Sequence, residues 1–171
     1  MESHAKAAGH AIHQQLVAFP LGLLATAVAF DIIQALGGGD GFATASYYMI
    51  AAGILSGLLA ALFGVIDYLA IPSATRAKRI GLLHGAGNVV VVALFAVSWF
   101  ARPDDLPHDP NAMALTLSVV AGALAGITAW LGGELVDRLG VGVDDDANLD
   151  AAASFKTGID LRKHEQHPAP R

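Results

Sequence analysis

Four long apolar runs separated by short polar breaks organise this chain. The first extends from about residue 13 to 36 and stops at Gly37-Gly38-Gly39; the second, about 47–71, is stopped by Pro72. The third, about 80–101, ends at Arg102-Pro103, and the fourth, about 113–135, follows the turn-rich RPDDLPHDPNA. Each is close to the ~20 residues that a helix needs to cross a hydrocarbon core. The pattern predicts an all-α, integral membrane, up-down-up-down four-helix bundle, because short loops make successive helices antiparallel neighbours. Pro20, inside the first run, frees the Leu16 carbonyl and should bend that helix. A polar segment, 1–12, precedes the bundle, and an acidic and then polar tail, 141–171, follows it and is expected to be poorly ordered.

Composition agrees with this pattern. The chain has 171 residues, 54% of them hydrophobic and 15% charged, with a mean hydropathy of +0.54, which is membrane-bundle composition. There are no cysteines, so disulfides, thiolate metal sites, covalent haem attachment and iron–sulfur ligation are excluded. The first apolar run is too long for the core of a cleavable signal. No basic patch lies outside the loop before the third span, which argues against a nucleic-acid partner. An even number of spans puts both termini on one side, and nine of the ten Lys and Arg fall there: Lys6, Arg76, Lys78, Arg79, Arg138, Lys156, Arg162, Lys163 and Arg171. Only Arg102 lies on the other side, so the positive-inside rule makes both termini cytoplasmic.

Candidate chemistry sits in one shallow layer. His13 opens span one, Asp67 lies a turn before the end of span two, His84 follows Arg79 by five residues, and Glu134 precedes Arg138 by four. Each is roughly 6–13 Å from a cation or chain break on the cytoplasmic side. Ionisable groups at such depths are costly and mark functional sites by default. His13 with Leu16, Val17 and Pro20, and His84 with Gly87, Asn88 and Val91, follow one helix face each; if both faces point inward, the imidazoles look at each other. Spans one and three would lie on a diagonal about 11–14 Å across, which two imidazoles and one iron can bridge with bonds of about 2 Å. In that reading His13 and His84 ligate a b-type haem, Arg76 or Arg79 meets a propionate, and Asp67 fixes a ligand tautomer. Two other readings remain open. His84 would be a core histidine bonded to Asp67 or Asn88, with His13 capping its helix, or the belt would hold another metal ion or relay protons.

The remaining polar residues read more plainly. His10 is an alternative to His13 but should project into water, and His4, His108, His164 and His167 read as solvated. Asp31, near the outer end of span one, should snorkel or pair with Arg102. Asp144, Asp146, Asn148 and Asp150 imitate the start of a calcium loop, but Leu149 and Phe155 stand where glycine and glutamate are needed, which argues against calcium. Stripes of small residues, Gly53, Gly57, Ala60 and Gly64 in span two and Gly122, Gly126, Ala129 and Gly133 in span four, suit close helix packing. With no nucleophile, phosphate loop or acid/base pair, the chain reads as an electron carrier or accessory subunit rather than a catalyst.

These residues carry a resemblance. His13, then Phe19-Pro20-Leu21-Gly22 and Asp31; the Gly64-to-Asp67 step; His84 after a basic loop; and Gly132-Gly133-Glu134-Leu135-Val136 before Gly140-Val141-Gly142-Val143 together resemble bacterial four-span membrane proteins catalogued as domain of unknown function 2231. Gln14 stands where that pattern has proline, and Asp137 where it has an aromatic. The resemblance implies a bacterial inner-membrane protein. Because some relatives are joined to or lie beside Rieske-type iron–sulfur domains, it also implies electron transfer with a redox protein or quinol, which fits a haem between His13 and His84.

Overall fold

The computed structural model describes residues 1–154. Its frame is four membrane-length apolar helices: α1 (Ile12–Ala35), α2 (Asp40–Ala70), α3 (Arg76–Phe100) and α4 (Ala112–Arg138). Regular α-structure in α1 is interrupted at Val17, next to the Leu16 carbonyl that Pro20 cannot bond. Helix α2 begins at Asp40, earlier than its apolar run. Asp40 suits the positive helix start, and Ala43 and Ser46 in this extension are buried against the bundle. Thr75 caps α3 by accepting from the Lys78 amide at 3.1 Å, and Asn111 caps α4 by accepting from Ala114 at 2.9 Å. The last turn of α4, Glu134–Arg138, widens into a π-helix.

In cross-section each helix packs on its two neighbours, α1 and α3 each against α2 and α4, so α1–α3 and α2–α4 are the diagonals. Small residues set the approach. A Cβ added at Gly53 would lie 2.6 Å from the Leu24 side chain, and one at Gly122 would lie 3.0 Å from Val28. Leu24, Ala27, Ile50, Val91, Phe95 and Ala121 form an apolar plug across the middle of the bundle. Leu55, Leu62, Leu69 and Val89 point outward and exposed, as a bilayer requires.

The segment before α1 is folded. Lys6–Ala7 (β1) and His10–Ala11 (β2) pair antiparallel around Ala8-Gly9, both of which take positive φ, the signature of a tight hairpin turn. Residues following α4 come back to meet this hairpin: the Gly142 amide donates to the Met1 carbonyl at 2.9 Å, and Lys6 Nζ pairs with Asp144 at 2.5 Å. The start of the tail is therefore held in place, where the sequence reads as poorly ordered. Residues 155–171, with Phe155, Lys156, Arg162, Lys163, His164, His167 and Arg171, lie outside the described residues.

Candidate functional site

Two polar layers interrupt the apolar interior, one on each side of the plug. The end carrying the hairpin and Arg76, Lys78, Arg79 and Arg138 is termed the basic end, and the other the far end.

At the basic end, α1 presents His13 and α3 presents His84 across their diagonal, with ring centroids 6.4 Å apart and planes at 89°. Glycine provides the room. A Cβ at Gly64 would stand 2.9 Å from His13 Cε1 and Nδ1, and one at Gly132 would stand 3.1 Å from His84 Cε1. The glycines of this layer thus seat imidazoles. His13 Nδ1 is 2.9 Å from the Ala60 carbonyl on α2, and His84 Nδ1 is 2.8 Å from the Thr128 carbonyl on α4. A carbonyl only accepts, so both Nδ1 atoms carry the proton and both Nε2 atoms keep a lone pair. Among the described residues His13 Nε2 has no hydrogen-bond partner, whereas His84 Nε2 accepts from Asn88 Nδ2 at 3.3 Å. Asn88 is itself fixed, donating to the His84 carbonyl at 2.9 Å and accepting from Thr128 Oγ1 at 3.0 Å. Thr128 bears on this ring through both its carbonyl and its hydroxyl, a role that nothing in its own helix pattern signals.

Other members of the expected belt are employed elsewhere. Asp67 does not reach an imidazole. Its Oδ1 and Oδ2 lie 2.8 and 2.9 Å from the Ser3 hydroxyl, and Oδ1 accepts from the His4 amide at 2.9 Å. The hairpin segment meets the carboxylate before any ring does. Arg76 is paired with Glu134 at 2.8 Å, and Arg79 is exposed. Lys78 donates to the Tyr68 carbonyl and lies 4.0 Å over the Tyr68 ring. His13 makes no helix cap. His4 and His10 are exposed, as their positions predict. Of the imitation calcium loop, Asp144 is paired with Lys6, and the Asn148 side chain accepts from the Asp150 amide in a local turn.

At the far end, Asp31 and Arg102 have fully buried side chains and pair at 2.6 Å. The alternative in which Asp31 snorkels does not occur. Ser46 donates to Asp31 Oδ1 at 2.5 Å, Ser118 donates to Oδ2 at 2.7 Å, and Arg102 donates to Ser46 Oγ at 3.2 Å. One residue from each helix, or from the turn that ends it, thus joins a single network. His108, which reads as solvated, is 6% exposed. It lies face to face with Tyr47 at 3.9 Å between centroids, with Nδ1 2.9 Å from the Pro103 carbonyl. Stacking on an aromatic belt removes it from water.

Four apolar, mutually packed crossings with a polar layer toward each end define the class: a small integral membrane bundle that lives in a lipid bilayer. Within that class a family model described as "Predicted membrane protein (DUF2231)" matches residues 9–145, and the chain belongs to that family. No curated protein matches the chain, and no solved structure does.

Proposed function

We propose that this protein is a membrane electron carrier that binds one b-type haem at the basic end, where His13 and His84 would hold the iron. One observation carries the reading: two imidazoles lie 6.4 Å apart with both Nδ1–H groups committed to main-chain carbonyls, which leaves His13 Nε2 free among the described residues and His84 Nε2 held only by the Asn88 amide at 3.3 Å, a contact that a ligand would replace. A second hydrogen bond of this kind is what ordinarily orients a metal-binding histidine. The separation supports the reading as well, since imidazoles sharing one metal at about 2 Å per bond have centroids about 6 Å apart. The number of donors favours haem over a bare ion. Among the described residues no third His, Cys, Asp or Glu joins the pair; two donors are too few for a bare metal ion but enough for an iron already held by four ring nitrogens.

Held by His13 and His84, such a group would supply reversible one-electron chemistry. The chain's part is to hold the two rings in one tautomer, through the Ala60 and Thr128 carbonyls, and to keep the midplane dry with the plug. The basic end supplies Arg79 for an anionic group; Arg76 serves only if it leaves Glu134. The excess of cations at this end supports cytoplasmic termini. A quinol or a separate Rieske-type protein is the electron partner this reading implies.

The visible spectrum of detergent-purified protein tests the proposal. Wild-type protein should show a Soret band and sharp reduced α and β bands, and His84→Ala or His13→Ala should abolish them while the bundle remains folded by circular dichroism. A colourless wild-type protein reconstituted with haemin to no effect, or unchanged haem content in both variants, would overturn it.

A further inference from the structure

We infer that residues 1–11 form a gate across the basic-end mouth of the bundle, latched by Asp67, which controls aqueous access to the His13–His84 layer. The inference rests on that layer being the working site, and it holds whatever the layer binds. The hairpin segment is tied down at two places: to α2 through Ser3 and His4 on Asp67, and to the chain beyond α4 through Met1 on Gly142 and Lys6 on Asp144. Gly142 and Asp144 follow the end of α4, and Gly142 lies beside Gln14 of α1, so the segment is strung between α2 and the returning chain at the end of the bundle that holds the imidazoles. His13 and His84 lie along the α1–α3 diagonal within that same end of the bundle. The apolar plug closes the opposite direction, so the polar route to the imidazoles runs past this segment.

Its attachments are those of a part that opens. The side chains it buries are small, Ser3, Ala5 and Ala11, its strands are two residues each, and the Lys6 pairs with Glu2 and Asp144 are solvent-exposed or half-buried. Few buried apolar contacts and exposed hydrogen bonds mark low-cost local opening. Exposed pairs hold weakly, which leaves the buried Asp67 carboxylate, with its two donors, the Ser3 hydroxyl and the His4 amide, as the strongest fastening. The same face of α2 carries the Ala60 carbonyl, Gly64 and Asp67 at successive turns. The latch and the seat of His13 are therefore one stripe, and Ile12, next to His13, donates its amide to Ala5 at 2.9 Å.

The absence of cysteine makes the test direct. Full-length protein in detergent would carry a single thiol from Ala5→Cys in the gate, Ala60→Cys beside His13, or Ala121→Cys in the plug. The probe is a small charged methanethiosulfonate. With the latch intact the thiols at 5 and 60 should react slowly, and Asp67→Ala should speed both by about tenfold, the scale of one lost charge-assisted bond. Asp67→Asn should give an intermediate rate, and the thiol at 121 should stay unreactive throughout. Should Asp67→Ala fail to fold, Ser3→Val removes the hydroxyl from the gate side and leaves α2 untouched. A thiol at 60 that keeps its slow rate in the folded latch variants, or that reacts fast with the latch intact, would overturn the gate. Neither rate depends on haem, so a colourless protein leaves this test intact.

Discussion

The two polar layers are built from similar parts and reach opposite ends. At the far end the charges face each other: Asp31 has Arg102, Ser46 and Ser118, nothing in the ion pair reaches solvent, and the buried Arg102 Nε is without a hydrogen-bond partner among the described residues. At the basic end the imidazoles are also held by neighbouring helices through Nδ1, but among the described residues no charged group faces them: His13 Nε2 has no partner, and His84 Nε2 has only the neutral Asn88 amide at 3.3 Å. A buried network closed by an ion pair specifies packing; a layer of imidazoles with no charge partner retains capacity to bind. Arg102, in the turn that ends α3, follows His84 by 18 residues, roughly 27 Å along the axis, with the plug between them. The layers are thus separate devices, one a fastener and the other a candidate site.

Breaking the fastener should have the largest effect on stability. Removing one partner of a buried ion pair leaves the other charge uncompensated, so Asp31→Ala and Arg102→Ala should each cost about 3–5 kcal/mol. Replacing both, as Asp31→Leu with Arg102→Met, should restore most of that, because an apolar pair of similar volume is often neutral or better. Thermal unfolding in detergent measures all three. Single variants that lose less than about 1 kcal/mol would show that the pair is not what holds the far end. His84→Ala should instead remove ligand capacity at little cost in melting temperature, and that contrast is the sharpest form of the comparison.

A smaller effect tests whether glycine positions the rings. Gly64→Ala would put its Cβ 2.9 Å from His13 Cε1 and Nδ1, so the ring must leave the Ala60 carbonyl or α2 must retreat. Overpacking of this kind costs about 1–3 kcal/mol, and it should change the ligand spectrum along with the melt. Gly126 has nothing within 4 Å of an added Cβ. Gly126→Ala should therefore stay within about 0.5 kcal/mol of wild type and leave the ligand spectrum alone. Equal effects at both positions would reduce Gly64 to an ordinary packing residue.

Hydropathy and loop length were enough to read the four crossings and their up-down packing, because a bilayer demands long, internally bonded helices. Helical period also put His13 and His84 on faces that meet across a diagonal, and proximity of charges offered Arg102 to Asp31. Register between helices was not legible. Period shows which face of a helix is apolar, but not which carbonyl of a neighbour, such as that of Ala60 or Thr128, will stand opposite a ring. Asp67 was misassigned because the hairpin that claims it has strands of two residues, too short to leave an alternation in the sequence. His108 was misread for a related reason: a polar loop between spans looks solvated until Tyr47 from another helix stacks on it.

The smallest expected effect concerns charges at the mouth of the basic end. Glu2 is held below its ordinary value of 4.5, first by the hydrogen bond from Lys6 and then by the Asp145 amide, while Lys6 is raised above its usual range by hydrogen bonds to Asp144 and Glu2. A carboxylate with a depressed value stabilises the closed gate above its unfolded pKa and loses that contribution as pH falls through the folded one. A lysine with a raised value contributes fully below its unfolded pKa and loses it as pH rises through the folded one. The ion pairs should therefore be indifferent to pH across the neutral range and weaken only below the usual carboxylate range or in strong alkali. The carboxyl ¹³C shift of Glu2, followed by titration in wild type and in Lys6→Met, checks the cause. Its midpoint should move up toward 4.5 in the variant, and no movement would mean that Lys6 is not its partner. Because both side chains are substantially exposed, this coupling tunes the gate, whereas the buried Asp67 latch sets it.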